Sequence, residues 1–450
     1  MVLLSGGVDG GTISHVIQLA ETIKTSNPKP RLGMEYKLPI IYEGNIKARD
    51  SIESTLNDIS DLIMVDNIRP TLEEENLQPS RDKIHDLFME HVMAQAPGYN
   101  KLMKWTDAPI MPTPGAVGEI IKKIASSENI SVVGVDIGGA TTDVFSVFQN
   151  KFNRTVSANL GMSYSICNVL AETGINNVAR WVPFKLNEQD LTNRIANKMI
   201  RPTTIPQTLN ALKIEQAIAR EALRLSFKQH KEFAVDLRGV QKERTISDAF
   251  EQSGSGNTLV NMLELDMLVG SGGVLSHAPR RSQTARMLID AFLPEGITQL
   301  AVDSIFMMPQ LGVLSTVHPQ AAIEVFEKDC LVYLGSCVAP VGKQQKGRVV
   351  LKYEIDIAGK LITGEIKSGE LKLIIAPNRD SKAKLIPGKK LDIGAGINEI
   401  INTSLKGGVV GIFLDGRGRQ PFIISELEND RVNSLLEWSK VSSEYPEGID

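Results

Sequence analysis

The stretch VVGVDIGGATTDVFSVF, residues 132 to 148, constrains this chain more than any other. An apolar run leads straight into Asp136. Gly138, Gly139, Ala140, Thr141, Thr142 and Asp143 follow before the alternation resumes, so two strands meet across a glycine turn as a hairpin. A carboxylate at the end of a buried strand is costly unless a cation or a set of donors meets it. Mg²⁺ takes one or two carboxylates and completes its shell with water and phosphate oxygens, which makes Asp136 a metal-side residue. Gly138 and Gly139 let backbone N–H groups approach a phosphate, and Thr141 and Thr142 offer hydroxyls. Asp143 is placed to orient or deprotonate an attacking water. A Gly-Gly pair alone favours an ordinary hairpin, whereas the whole octet in this strand context favours a nucleotide. It is not a P-loop, which needs GxxxxGK[ST], and because it opens a hairpin and not a helix it is not the dinucleotide fingerprint either.

A second glycine cluster, Gly270-Ser271-Gly272-Gly273, follows the strand MLV and precedes a helix, so its bare backbone can lie against an adenosine. Taken alone this is a tight strand-to-helix turn; about 130 residues after the octet it gains weight. His277, Arg280 and Arg281 follow within reach of a base or a phosphate, although basic residues facing solvent near a helix start are the commoner case. His85 and His91 form no HExxH pair, and no serine sits in GxSxG.

The 450 residues call for two to three domains. Residues 1–130 alternate strand and helix, with Val2–Leu4, Leu38–Tyr42 and Asp61–Val65 as strands and Ser14–Thr25 and Ala48–Leu56 as helices, the sign of a βαβ layer. The segment MPTPGAVGEIIKKIASS then predicts an amphipathic helix with Val117, Ile120, Ile121 and Ile124 inward. Residues 131–318 carry the hairpin, a third strand RTVSANLG and a helical insertion over about 165–265. Within that insertion, residues 209–227 set Ile214, Ile218, Ala222 and Leu225 on one face. Residues 319–450 read as a β-rich domain, ending in a helix near Arg431–Ser439.

A formal net charge of -4 without a dense basic block excludes a nucleic-acid partner. The three cysteines, Cys167, Cys330 and Cys337, fit core thiols in a reduced cytoplasmic setting. No apolar run reaches the roughly 18 residues that span a bilayer, and the N-terminus has no leader pattern, so a soluble protein is expected.

These motifs carry a resemblance. VGVDIGGATTDVF resembles the second phosphate motif of the actin-like ATPase superfamily, and LVGSGGVLSHAP its adenosine motif. ANLGMSYS, with Gly161, is similar to the phosphate-side loop that follows. More narrowly, these segments together with SHAPRRSQTARMLIDAF and LLSGGVDGG resemble the glutamate mutase accessory family, the MutL-type ATPases. The resemblance implies an actin-like (ribonuclease H-like) two-lobe α/β fold that takes ATP and Mg²⁺. It also implies assistance to an adenosylcobalamin-dependent mutase, exchanging damaged cobalamin for intact coenzyme. On matching positions it gives Asp136, Gly138, Gly139, Thr141 and Asp143 to phosphate and magnesium, Gly161 to phosphate, and Gly270, Gly272 and Gly273 to adenosine.

Two departures stand out. No first phosphate hairpin, Asp-x-Gly-Ser/Thr-Thr-Thr, precedes MVLLSGGVDGG, and no adenine-stacking Arg is evident. The first implies that residues 1–130 are a partial lobe and that residues 1–450 bind ATP weakly and hydrolyse little. Other functions fit the same motifs: a small-molecule kinase or hydantoinase-like ATP-dependent enzyme, or a non-catalytic actin-like interaction protein.

Overall fold

The structure is a computed structural model and describes residues 1–30, 36–106, 110–235, 258–377, 380–419, 422 and 424–446. It divides into two compact units, Met1–Ile110 and, in the other, Met111–Val235 with Asn257–Asp450.

In the first unit β1 (Val2–Leu4), α1 (Ser14–Ser26), β2 (Leu38–Tyr42), α2 (Arg49–Leu56) and β3 (Ser60–Met64) follow one another as the periodicity predicts. The strands form a parallel sheet in the order β1-β2-β3. Val16 and Ala20 of α1 and Ile52 and Leu56 of α2 bury against Leu4, Ile40 and Tyr42, the ordinary βαβ solution of covering a sheet face with helices. Two further helices, α3 (Gln78–His91) and α4 (Tyr99–Leu102), complete the described part of this unit.

The second unit opens with α5 (Thr113–Glu128), whose Val117, Ile120, Ile121 and Ile124 face inward as predicted. The hairpin follows as β4 (Val132–Ile137) and β5 (Thr142–Phe148). Gln149 and Asn150, both at positive φ, make the two-residue turn to β6 (Lys151–Ser157), so this strand starts earlier than RTVSANLG suggests. Helices α6 (Ile166–Thr173), α7 (Ile175–Ala179), α8 (Glu188–Ile200) and α9 (Leu209–Phe233) make the described part of the insertion; its residues 236–257 lie outside the described residues. Then come β7 (Met267–Ser271), α10 (Gly273–Ser276), α11 (Arg281–Phe292), β8 (Gly296–Asp303), α12 (Met308–Val317) and α13 (Pro319–Val325). The C-terminal part holds β9 (Leu331–Ala339), β10 (Val349–Ile357), β11 (Lys360–Lys367), β12 (Leu371–Ile374), β13 (Asp380–Pro387), β14 (Ile401–Lys406), β15 (Gly411–Asp415) and α14 (Glu428–Val441).

Eight strands make one sheet in the order β12-β15-β9-β8-β7-β4-β5-β6. The meander β4-β5-β6 is antiparallel, and β4, β7 and β8 run parallel, which is the actin-like (ribonuclease H-like) α/β arrangement expected. Strand alternation sorts the core. Val133, Val135, Ile137, Leu268, Leu300 and Val302 face one side, with α9 and α11 packed over it. Val132, Met267, Val269 and Ala301 face the other, against α5, α12 and α13.

Two boundaries differ from the sequence reading. Because α5 buries its apolar stripe on the large sheet, the first division falls at residue 110 and not at 130. The C-terminal strands do not stand apart either: β9, β12 and β15 extend the large sheet, while β11-β10-β13-β14 form a second sheet. That second sheet shares one core with Val338 of β9 and with Ile412 and Leu414 of β15. The strands β8, β9, β13 and β14 were not read from sequence. In β13 the lysines of SKAKLIP alternate with a buried Ala383 and Leu385, a pattern buried on one face only that dilutes the apolar signal.

Candidate functional site

The β4–β5 turn, the β7–α10 turn and the start of α5 converge on a cleft of about 350 Å³. Its walls are Thr113 and Pro114, Asp136 to Gly138, Thr141, Asp143, Gly272, Gly273, His277 and Phe306. Asp136 and Asp143 are direct partners across the hairpin, and Asp136 also lies level with Ser271 of β7. All three side chains are buried, at 7%, 4% and 0% exposure. Asp136 Oδ1, Asp143 Oδ1 and Ser271 Oγ have no hydrogen-bond partner among the described residues. Leaving buried carboxylate oxygens without donors is expensive, so this end of the sheet is built for a group that brings positive charge or donors.

The electrostatics agree. Burial, then the charges of Asp143 and Asp303, pushes Asp136 up to about 7. Burial pushes Asp143 up to about 6 against the opposing pull of Arg154 and of the Thr141 hydroxyl, which donates to Asp143 Oδ2 at 3.5 Å. A nearby cation reverses both displacements. Asp303, though buried, is engaged: its carboxylate accepts from the Met308 N–H at 2.8 Å and the Ile305 N–H at 3.3 Å, capping α12. Among the described residues no three of His, Cys, Asp and Glu converge as a metal cage, and Mg²⁺ does not need one where phosphate and water complete its shell.

Each residue singled out from sequence has a definite place. Asp136, Gly138, Thr141, Asp143, Gly272, Gly273 and His277 line the cleft. Gly138 closes the turn by donating its N–H to the Thr141 carbonyl at 2.8 Å. Gly272 sits at φ +96°, and a Cβ there would run into the Ile137 carbonyl, while a Cβ on Gly273 would meet nothing within 4 Å. One glycine lets β7 turn against β4; the other leaves open floor for a ligand.

The remaining residues act behind the wall. Thr142 is fully buried and donates its hydroxyl to the Leu160 carbonyl. The Gly139 carbonyl accepts the Ser163 N–H at 2.8 Å, and Gly161 packs so tightly under the turn that a Cβ would lie 2.5 Å from the Gly139 oxygen. Gly270 lies inside β7 under Leu275 and Leu288. Arg280 donates to the Ser443 carbonyl and Arg281 to the Ser276 carbonyl, both at 2.7 Å, so neither guanidinium lines the cleft. Ser271 and the Thr113-Pro114 helix start were within reach of the sequence, as the Ser of Gly-Ser-Gly-Gly and as the Pro-rich opening of α5. Phe306, which reaches the cleft from a left-handed backbone at φ +59°, carries no sequence signal.

Residues 1–330 match the family described as MutL protein, and the chain belongs to that family. It is 24% identical over 354 residues to Protein MutL of Clostridium tetanomorphum, covering 73% of this chain and 72% of that protein. Among solved structures, the (R)-2-hydroxyglutaryl-CoA dehydratase component A of Acidaminococcus fermentans aligns over 57% of this chain and 87% of its own, at 13% identity and a TM-score of 0.24. The activator of 2-hydroxyisocaproyl-CoA dehydratase from Clostridium difficile, solved with ADPNP, aligns over 56% and 85%, at 15% identity and a TM-score of 0.23. An archaeal actin homolog aligns over 67% and 76%, at 9% identity and a TM-score of 0.24. No helix among the described residues is long and apolar enough to cross a membrane.

Proposed function

We propose that this protein is an accessory ATPase that binds ATP with Mg²⁺ in the β4–β5 cleft and serves an adenosylcobalamin-dependent mutase such as glutamate mutase, by exchanging damaged cobalamin. The observation that carries the nucleotide half is the pair of buried, unpartnered carboxylate oxygens of Asp136 and Asp143 facing an open glycine floor. Membership of the MutL family and the resemblance carried by the sequence motifs support the mutase half.

When bound, Mg²⁺ would neutralise phosphate charge and polarise the bond to be cleaved. Asp136 Oδ1 and Ser271 Oγ would hold it or its waters, since both lack other partners. Asp143 Oδ1 would accept a proton from an attacking water while the Thr141 hydroxyl steadies Oδ2. Gly272 and Gly273 would let the adenosine side of the ligand approach the backbone.

The test begins with Mg²⁺-dependent binding of a fluorescent ATP analogue to wild type and Asp136→Asn. Oxygen-inactivated mutase is then incubated with the protein, ATP, Mg²⁺ and fresh adenosylcobalamin, and recovery of activity is assayed. Recovery that requires ATP and fails with the variant supports the reading. ATP turnover that instead depends on a small sugar or cyclic amide would sink it.

A further inference from the structure

Apart from the nucleotide cleft there is a cavity of about 720 Å³, a half-open groove in the helical insertion between α8, the 201–208 loop and the start of α9. Its floor is apolar: Ile166, Ile195, Ile214 and Ile218 are each at most 5% exposed. Two large apolar side chains stand out of its rim, Ile200 at 72% and Ile205 at 69% exposure. A contiguous apolar floor with exposed apolar edges is what an interaction site leaves uncovered.

The rim is cationic. Lys198 pairs with Glu215 at 3.3 Å and Arg194 with Asp190 at 2.8 Å, while the Arg201 guanidinium has no partner among the described residues. The groove therefore has anchors for apolar side chains and an unmatched positive charge beside them. Complementarity selects a segment with apolar residues on one face and carboxylates alongside, the pattern of an acidic amphipathic helix laid in a groove.

Position gives such docking a consequence. Ile166 of the floor is the first residue of α6, and Ser165 just before it donates its hydroxyl to the Ala140 carbonyl in the β4–β5 turn. The same short loop is tied to that turn by the Met162 N–H on the Gly138 carbonyl at 2.9 Å and the Ser163 N–H on the Gly139 carbonyl at 2.8 Å. One loop thus touches the phosphate turn on one side and the groove floor on the other.

We propose that this groove is a docking site for an acidic amphipathic helix of the partner protein, which, resting on the function proposed above, is the mutase. The experiment uses the full chain, wild type and two variants of exposed residues, Ile205→Asp and Arg201→Glu, with melting temperature as the folding control. Binding is measured to the intact mutase and to a labelled helical peptide of alternating leucine and glutamate faces, at low and high salt. The expected result is at least a tenfold loss of affinity for both probes in each variant, with wild-type binding of the peptide weakened by salt. Mutase binding equal in wild type and variants overturns the groove and leaves the accessory function standing. Peptide binding that is saturable and lost in both variants, with no capture of mutase by wild type, keeps the groove and removes the mutase as its partner. Peptide binding that is absent, or indifferent to both variants, overturns the groove, as does preference for a polyanion such as duplex DNA over the peptide.

Discussion

At the scale of single residues, the cleft holds buried charge for which the described residues supply too few donors. Asp136 and Asp143 face each other, buried, each with one oxygen lacking a donor. Replacing Asp136 by Asn removes one uncompensated buried charge, so the ligand-free protein should gain about 1–3 kcal/mol. The same change removes an oxygen anion from the proposed magnesium grip, and affinity for MgATP should fall roughly ten- to a hundredfold. A thermal melt and a nucleotide titration on the same sample check both signs; a variant that loses stability without losing affinity would contradict the assignment. Gly272→Ala moves differently. With φ at +96° and the Ile137 carbonyl in the way, it should destabilise by about 2–4 kcal/mol and displace the cleft wall, read as a lowered denaturation midpoint together with weaker nucleotide binding. Much of this was legible because each acid or glycine breaks a strand pattern. Phe306 was not, since its approach depends on one left-handed residue after β8, and neither was the redirection of Arg280 and Arg281 to other carbonyls.

At the scale of elements, α9 is joined to the meander by polar groups inside the core. His230 bonds Ser146 of β5 through Nε2 at 2.8 Å and Thr155 of β6 through Nδ1 at 2.9 Å, and the Ser157 hydroxyl donates to Gln229 at 2.6 Å. Burial lowers the His230 pKa to about 4. Between pH 4 and about 6.5 the unfolded chain binds this proton and the folded chain does not, so stability rises with pH across that window. The contribution lost on acidification is up to roughly 3 kcal/mol. Asp136 and Asp143 hold protons longer when folded and oppose this trend in an overlapping range. The measurement is therefore the difference between wild type and His230→Gln in urea midpoint at pH 4.5, 5.5 and 7, and it should shrink steadily as the pH falls. The helical period announced α9 and its apolar face. It did not announce His230, because a histidine on a helix declares neither its burial nor its partners until the sheet beneath it is placed.

At the scale of the whole molecule, two ties hold the second unit together. One is the large sheet. The other is a buried ionic cluster in which Asp290 of α11 accepts from Arg220 of α9 and from Arg417 beyond β15, both at 2.8 Å. Arg417 also grips Asp415, and Arg286 grips Glu444 near the C-terminus. The attracting arginines hold Asp290 down at about 2 despite full burial. Asp290→Ala would leave Arg220 and Arg417 short of a partner and should cost about 3–5 kcal/mol, measured by denaturation. Apart from the local pair Asp415 and Arg417, these contacts cannot be read from sequence, since their members are as far apart as Arg286 and Glu444.

The division into two units with separate cores carries the last prediction. Domains with their own cores unfold as separate cooperative steps, so calorimetry of the whole chain should resolve two transitions. Every wall of the β4–β5 cleft belongs to the second unit. Ligand that binds the folded form alone stabilises by about 2.7 kcal/mol at a hundredfold excess over Kd. For a unit of this size that should raise its transition by about 4 °C, with the smaller transition unmoved. Hydrogen exchange on the β4–β5 turn and on α1 identifies which transition is which. A shift confined to the transition that contains α1 would place nucleotide somewhere other than Asp136, Asp143 and the glycine floor.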